Sequence, residues 1–215
     1  MTSEESMNSK EEPSFHQFMD DPDVALMLRF QQGDEGAFRE LVDRHTDSLI
    51  NFFTYQSGNR AVAEDCTQEV WSRMFRSRND YEPRARFRTF LFRVARNLWI
   101  DTLRTGNRRR REIQISSDES GEGAGGGDPL AFLAGPELPP DQHLREGELA
   151  GALARALGKL PSEMREVFIL GGIEGVGYAE IADTLEIPIG TVKSRMFNAV
   201  RRLREMLQPY WEKEK

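Results

Sequence analysis

Between Phe38 and Phe53 the apolar positions repeat with a helical period. Phe38, Leu41, Val42, His45, Leu49, Phe52 and Phe53 fall at i, i+3, i+4, i+7, i+11, i+14 and i+15. This spacing lines one face of a helix and scatters across both faces of a strand. The same period returns wherever the chain is apolar enough to bury anything. Cys66, Val70 and Met74 stand four residues apart in a segment from about Arg60 to Arg78, and Phe87, Leu91, Val94 and Leu98 mark another from about Arg86 to Arg104. Leu149, Leu153, Ala156, Leu157 and Leu160 open a further helix, Pro161 separates it from one holding Met164, Val167, Phe168 and Leu170, and two more follow at about Tyr178–Leu185 and Pro188–Leu207. No segment alternates with the two-residue period of a strand, so the expected fold class is all-α.

The helices fall into two groups. Gly121, Gly123, Gly125, Gly126 and Gly127, followed by Pro129, Pro136, Pro139 and Pro140, interrupt the chain with a composition that forms no packed element. A loop of that length inside one compact domain is uncommon. The expectation is therefore two small helical domains, at 22–106 and 144–208, joined by a flexible Gly/Pro-rich linker at 107–143. Residues 1–21 read as a disordered acidic tail and 209–215 as a short C-terminal one. Gly121, Gly123 and Gly126 satisfy G-x-G-x-x-G by accident: no strand precedes them and Asp128-Pro129 stops any helix from following.

The formal charge of −7 argues at first sight against a nucleic-acid partner, but its distribution reverses that reading. Residues 71–111 carry 13 Arg against Asp80, Glu82 and Asp101, whereas residues 1–70 have net charge −10 and residues 112–148 net −8. Attraction to phosphate is local, because fields in salt decay over about 8–10 Å. Other classes are excluded more simply. No run approaches the ~18 uncharged residues of a spanning helix, so no membrane insertion is expected, and the acidic N-terminus has no apolar core of a secretion signal. Cys66 is the single cysteine, which fits a reducing compartment and a cytoplasmic protein. His16, His45 and His143 show neither metal-ligand spacing nor a catalytic partner, so no cofactor, metal or catalytic residue is expected.

The second half ends in a recognisable constellation. A short helix with Ile181, Ala182 and Leu185 facing inward is followed by Glu186-Ile187-Pro188 and a longer helix burying Val192, Met196, Ala199, Val200, Leu203 and Leu207. Its polar side carries Lys193, Ser194, Arg195, Phe197, Asn198, Arg201, Arg202 and Arg204, with no acid from Ile189 to Arg204. A helix, a tight turn and a second helix with an acid-free face is a helix-turn-helix arrangement, whose second helix fits the major groove. On chemistry alone, Lys193 and Asn198 would read base edges while Arg195, Arg201 and Arg202 reach phosphates. A helical hairpin with a solvated basic face has the same pattern.

Three segments resolve the choice. Pro161-Ser-Glu-Met-Arg165-Glu-Val-Phe-Ile-Leu170, Glu174-Gly-Val-Gly-Tyr-Ala-Glu-Ile-Ala182 and Ile187-Pro-Ile-Gly-Thr-Val-Lys-Ser-Arg195 resemble region 4 of bacterial sigma factors, in particular the extracytoplasmic-function (ECF) group of the sigma-70 family. The first half resembles region 2 of the same group through Gln32–Phe38, Ala63–Trp71 and Phe87–Asp101. The resemblance implies a non-catalytic transcription initiation factor whose partners are core RNA polymerase and promoter DNA. It implies that Asp65, Gln68, Glu69, Trp71 and Arg73 dock on the clamp coiled coil of the polymerase's largest subunit. It places the −10 readout on the loop and helix where Arg86, Arg93, Asn97 and Arg104 step by 7, 4 and 7 along one face, with Asn97 at the base-contacting asparagine position, and it gives Lys193, Ser194, Phe197 and Asn198 as −35 contacts, to which the chemistry above adds Arg195, Arg201 and Arg202. Phe92 and Trp99 are expected in the core.

The chain departs from the family pattern at named places. Phe90 stands where Trp is usual, Gly171-Gly172 replaces a more helical pair and is expected to loosen the helix end, and Asn198 stands where a basic residue is frequent. The linker is longer than the group usually shows, and its negative charge is expected to act as a nucleic-acid mimic near the RNA exit path. Many family members are held by an anti-sigma factor, which makes one a candidate partner here. A free-standing helix-turn-helix regulator is the competing reading, and the region 2 resemblance weighs against it.

Overall fold

The structure, a computed structural model, describes residues 18–117 and 144–211, with side chains over 18–106 and 150–210; the predicted N-terminal tail and most of the predicted linker lie outside the described residues. All regular elements among the described residues are helical: α1 (Pro22–Gln31), α2 (Glu35–Ser57), α3 (Arg60–Arg76), α4 (Phe87–Ser117), α5 (Leu144–Gly158), α6 (Ser162–Phe168), α7 (Tyr178–Leu185) and α8 (Ile189–Trp211).

Local chemistry sets the boundaries in the first half. The Asp21 carboxylate accepts from Asp23 N at 3.0 Å at the start of α1, Asp34 accepts from Ala37 N at 3.2 Å at the start of α2, and Asn59 accepts from Val62 N at 3.2 Å at the start of α3. Each supplies an acceptor to a backbone N–H that the first helical turn leaves unpaired. Between α2 and α3 the chain reverses through Gly58, whose φ of 68° lies in the left-handed region open to glycine. Asp21 does a second job: its other oxygen accepts from Phe87 N at 3.0 Å, fixing the start of α4 beside the start of α1.

The apolar face predicted for α2 is the one buried. Leu41, Leu49, Phe52 and Phe53 are sealed against Val24, Met27 and Phe30 of α1, Val70 and Met74 of α3, and Phe87, Leu91, Phe92 and Trp99 of α4. Each such side chain contributes on the order of 1.5–3 kcal/mol by leaving water. Phe92 and Trp99 belong to this core as expected, packed against Phe52 and Phe53 at ring-centroid distances of 5.6 and 6.3 Å. Helix α4 runs to Ser117, beyond the predicted end near Arg104 and into the predicted linker. The reason is the absence of any proline before Pro129, and Gly106 is accommodated in the helix with open space at its Cβ position.

In the second half, Ala152, Ala156, Leu157 and Leu160 pack on Ala199, Leu203 and Leu207 of α8. Pro161 sits at the N-cap of α6, the predicted break. Helix α6 continues into a π-helical turn at Ile169–Ile173. The Gly171-Gly172 pair lies in that turn, and its role is close packing: a Cβ at Gly171 would stand 2.5 Å from Met196 Cε and 3.1 Å from Ile181 Cδ1. Glu186 closes α7 in the left-handed conformation (φ 55°), which turns the chain into α8.

The two halves dock. Val167, Ile169, Leu170, Val176, Ile181, Leu185, Val192 and Met196 form one continuous apolar cluster with the core of α1–α4, with Phe18, Tyr55 and Phe90 partly buried against it. Helix α4 lies against α7, and α2 against α5 and α6.

Candidate nucleic-acid interface

Helix α4 places the first set of predicted residues on one side. At about 100° per residue, Arg86, Arg93, Asn97 and Arg104 point within roughly 40° of one another, away from Phe87, Leu91 and Leu98. Asn97 and Arg104 are exposed. Arg86 and Arg93 instead turn toward the second half, where Arg86 Nε lies 3.1 Å from Glu180 Oε1 and Arg93 donates to the Asp183 carbonyl at 3.1 Å. The loop before α4 walls a cavity of about 370 Å³ lined by Asp80, Tyr81, Glu82, Arg84, Phe90 and Arg93. Tyr81 and Phe90 meet edge to face at 5.1 Å, and the buried Tyr81 hydroxyl has no hydrogen-bond partner. Burial, reinforced by the Asp21 carboxylate, pushes the Tyr81 phenol well above its usual value, so it remains a neutral donor.

On α3, Asp65 and Gln68 are exposed. Glu69 accepts from Arg73 Nε at 2.9 Å and from Arg76 at 3.2 Å, and these contacts hold its carboxyl below the usual range. Arg73 also lies 3.6 Å from Asp101, so α3 and α4 share one charged surface. Trp71 departs from the expectation of an exposed contact. It is 8% exposed, donates from Nε1 to Thr46 Oγ1 at 3.2 Å, and meets Phe38 edge-on. Its contribution is to hold α3 on α2 beneath the charged surface.

Helix α8 divides the seven residues assigned to it. Lys193, Ser194, Phe197 and Arg201 lie on the outward side, with Phe197 69% exposed despite its apolar ring. The Asn198 amide donates to the Ser194 carbonyl at 2.9 Å, which fixes its orientation along the helix. Arg195 points to the other flank, where it donates to Glu163 at 2.7 Å and bridges α8 to α6. Arg202 is about 180° from Lys193 around the helix and lines a cleft with Lys159, Arg201, Glu205 and Met206. One face therefore runs from Lys193 through Phe197, Arg201 and Ser194 to Asn198, with the exposed Arg202 at its edge about 40° beyond Asn198 and Arg195 held on the flank by Glu163.

Two helical units with these basic faces, in this order, match two family models. Residues 41–110 match Sigma-70 region 2 and residues 150–203 match Sigma-70 region 4. Among curated relatives, the chain is 31% identical to the ECF RNA polymerase sigma-E factor of Haemophilus influenzae, over 87% of this chain and 96% of that one. The chain belongs to the sigma-70 family, in its ECF group. It is thus an RNA polymerase sigma factor, a transcription initiation factor. It is also 35% identical to the ECF sigma factor SigE of Mycolicibacterium smegmatis, over 81% of this chain and 64% of that longer protein. The 29% identity to SigW of Bacillus subtilis covers 83% of this chain and 92% of the relative.

Two solved structures share the fold. CnrH in complex with the cytosolic domain of CnrY aligns with a TM-score of 0.59 at 25% identity, over 88% of this chain and 99% of that one. The sigma factor RpoE of Bartonella quintana, in complex with the anti-sigma factor NepR, aligns with a TM-score of 0.59 at 26% identity, over 80% of this chain and 96% of that one. Among the described residues of the sigma factor no group of His, Cys, Asp or Glu is arranged to hold a metal ion, and no helix is long and apolar enough to cross a membrane.

Arg88 and Arg96 went unassigned in the sequence, although they lie in the same basic block. Both meet acids of the second half, and only the docking of the halves reveals them. Tyr81 and Arg84 likewise carry no assignment from the sequence, because nothing in their spacing signals a cavity.

Proposed function

We propose that this sigma factor joins core RNA polymerase through the charged surface of α3, formed by Asp65, Gln68, Glu69 and Arg73 over the buried Trp71. It then recognises the −10 element through α4 and the preceding loop, and the −35 element through the outward face of α8. The observation that carries this reading is the pairing of an exposed Asn97 and Arg104 with the neighbouring loop cavity. An amide hydrogen-bonds a base edge, an arginine meets the phosphate backbone, and a partly apolar cavity walled by Tyr81 and Phe90 suits an unstacked base. Extruding such a base costs only a few kcal/mol. Lys193, Ser194, Phe197, Asn198 and Arg201 make the −35 contacts, phosphate contacts supplying affinity and base contacts supplying selectivity. Arg195 acts indirectly, by bracing α8 on α6.

The protein works in the cytoplasm and performs no catalysis of its own. Residues 22–106 and 144–208 are its two functional domains. An anti-sigma factor is a candidate partner, because both structural relatives described above were solved with a bound protein, named in one case as an anti-sigma factor.

The test is pull-down of core polymerase by the full chain, followed by run-off transcription from a genomic library. Asn97→Ala is expected to weaken −10 discrimination with core binding intact, and Lys193→Ala to lower −35-dependent transcription with core binding intact. Loss of core affinity in either variant would show that the residue has been given the wrong role.

A further inference from the structure

A side chain that reads a base edge can offer only the donors and acceptors that the protein has not already engaged. On the outward face of α8, two side chains turn a donor back onto the helix. Ser194 Oγ donates to the Thr191 carbonyl at 3.0 Å, and Asn198 Nδ2 donates to the Ser194 carbonyl at 2.9 Å. The two lie four residues apart and about 40° from each other around the helix, so they form one strip. Ser194 is exposed and Asn198 half-buried at the edge of the face. A hydroxyl has a single proton, so Ser194 presents only lone pairs outward. An amide has two N–H groups and one carbonyl oxygen; with one N–H engaged, Asn198 is left with one acceptor and one donor. Its orientation is fixed chemically. Turning the amide over would set Oδ1 against the Ser194 carbonyl, acceptor against acceptor.

The major groove converts that inventory into a base preference. Adenine shows its N6 amine as a donor and N7 as an acceptor, the complement of one acceptor with one donor. Guanine shows two acceptors, N7 and O6, and suits a side chain with two donors, such as lysine or arginine. A basic residue is frequent in the family where this chain has Asn198. The neighbouring guanidinium groups do not restore the missing donors. Arg195 is held by Glu163 at 2.7 Å, while Arg201 and Arg202 stand about one turn further along the helix and line the cleft with Lys159.

We propose that Asn198 makes this sigma factor select an A·T pair, through the N6 and N7 edge of adenine, at the −35 position where a basic residue would select G·C. Ser194 beside it adds an acceptor and no donor. The strip therefore offers two acceptors and one donor, the reverse of what guanine needs. Lys193, about 140° away around the helix, keeps its own donors and meets a different position. The proposal rests on the assignment of α8 to the −35 element and goes beyond it by naming the base.

The test assembles holoenzyme from core polymerase and the full chain. Run-off transcripts are sequenced from a promoter library whose −35 element is randomised and whose −10 element is constant. The position read by Asn198 is the one whose preference moves in Asn198→Ala. There, wild type is expected to favour A·T over G·C by about fivefold. Asn198→Ala should bring the two pairs to within about twofold of each other, and Asn198→Arg should reverse the order to favour G·C by about fivefold. Preferences at the other positions should move by less than about twofold. A wild-type preference for G·C at that position would overturn the proposal. So would Asn198 variants that move no position while Lys193→Ala flattens its own, a result that leaves α8 on the −35 element. If randomising the −35 element leaves wild-type transcription unaltered, the assignment of α8 fails, and the adenine preference with it.

Discussion

Arg165 reaches Gln56: its guanidinium Nη1 donates to the Gln56 carbonyl at 3.2 Å, joining α6 of region 4 to the end of α2 in region 2. The same side chain, 2% exposed, also donates to the carbonyls of Leu157, Gly158 and Leu160. It thereby caps the C-terminal end of α5, whose last carbonyls have no partner within the helix. One buried cation thus orders the turn within region 4 and ties it to the other half.

Arg165→Met keeps much of the apolar stem but removes the donor to the Gln56, Gly158 and Leu160 carbonyls, while the Leu157 carbonyl keeps the Leu160 N–H. Each unsatisfied polar group costs about 1–3 kcal/mol, so the variant should lose roughly 3 kcal/mol or more of unfolding free energy. Urea denaturation followed by circular dichroism measures it, and a loss of less than about 1 kcal/mol would mean that water replaces the guanidinium.

Glu166 gives a pH dependence of definite sign. Burial pushes its carboxyl above the usual 4.5, outweighing the opposing pull of Arg96 and Arg195. The folded protein therefore keeps this proton at pH values where the unfolded chain has lost it. The stabilising contribution is fully present below 4.5 and is lost as pH rises through the folded value. Glu166→Gln mimics the protonated form, so its stability relative to wild type should improve as pH is raised from about 4.5 to 8. Urea midpoints across that range check it; a gap that moves the opposite way would show that the Arg96 pairing dominates.

Cys66 should be chemically quiet. It is buried, and burial together with the neighbouring Asp65 charge raises its thiol above the usual value. The thiolate is the reactive form, so iodoacetamide should label native protein at pH 7.5 at least about tenfold more slowly than urea-unfolded protein. Equal rates would mean an accessible thiol.

Gly171 tests the close approach of the π-helical turn to α7 and α8. Gly171→Ala sets its new methyl against the ends of Met196 and Ile181. Both are side-chain tips that can shift, so a cost of about 1 kcal/mol is expected, rising to about 3 kcal/mol for Gly171→Leu, which overpacks the site. Thermal unfolding of the two variants ranks them; no loss in either would show that the turn has room to spare.

Much of the fold was legible because helices are written in neighbours three and four residues apart. The buried face of α2 follows from that period, and the break at Pro161 from proline's missing N–H. The end of α4 was misplaced, since the Arg-rich run after Gly106 holds no stop signal and no periodic apolar face. Trp71 illustrates a second limit. Its type suits an exposed interface as well as a core, and only the positions of Thr46 and Phe38 decide between them.

The candidate site was legible as two basic faces and illegible as a set of contacts. That Lys193, Asn97 and the surrounding arginines belong to basic helix faces is determined by the sequence, because charge and helical period are local properties. That Arg195 is braced by Glu163, and that Arg88 meets Glu174 across 86 residues of chain, was decided by tertiary structure alone. Such pairings depend on how whole helices dock, a relation that no local spacing encodes.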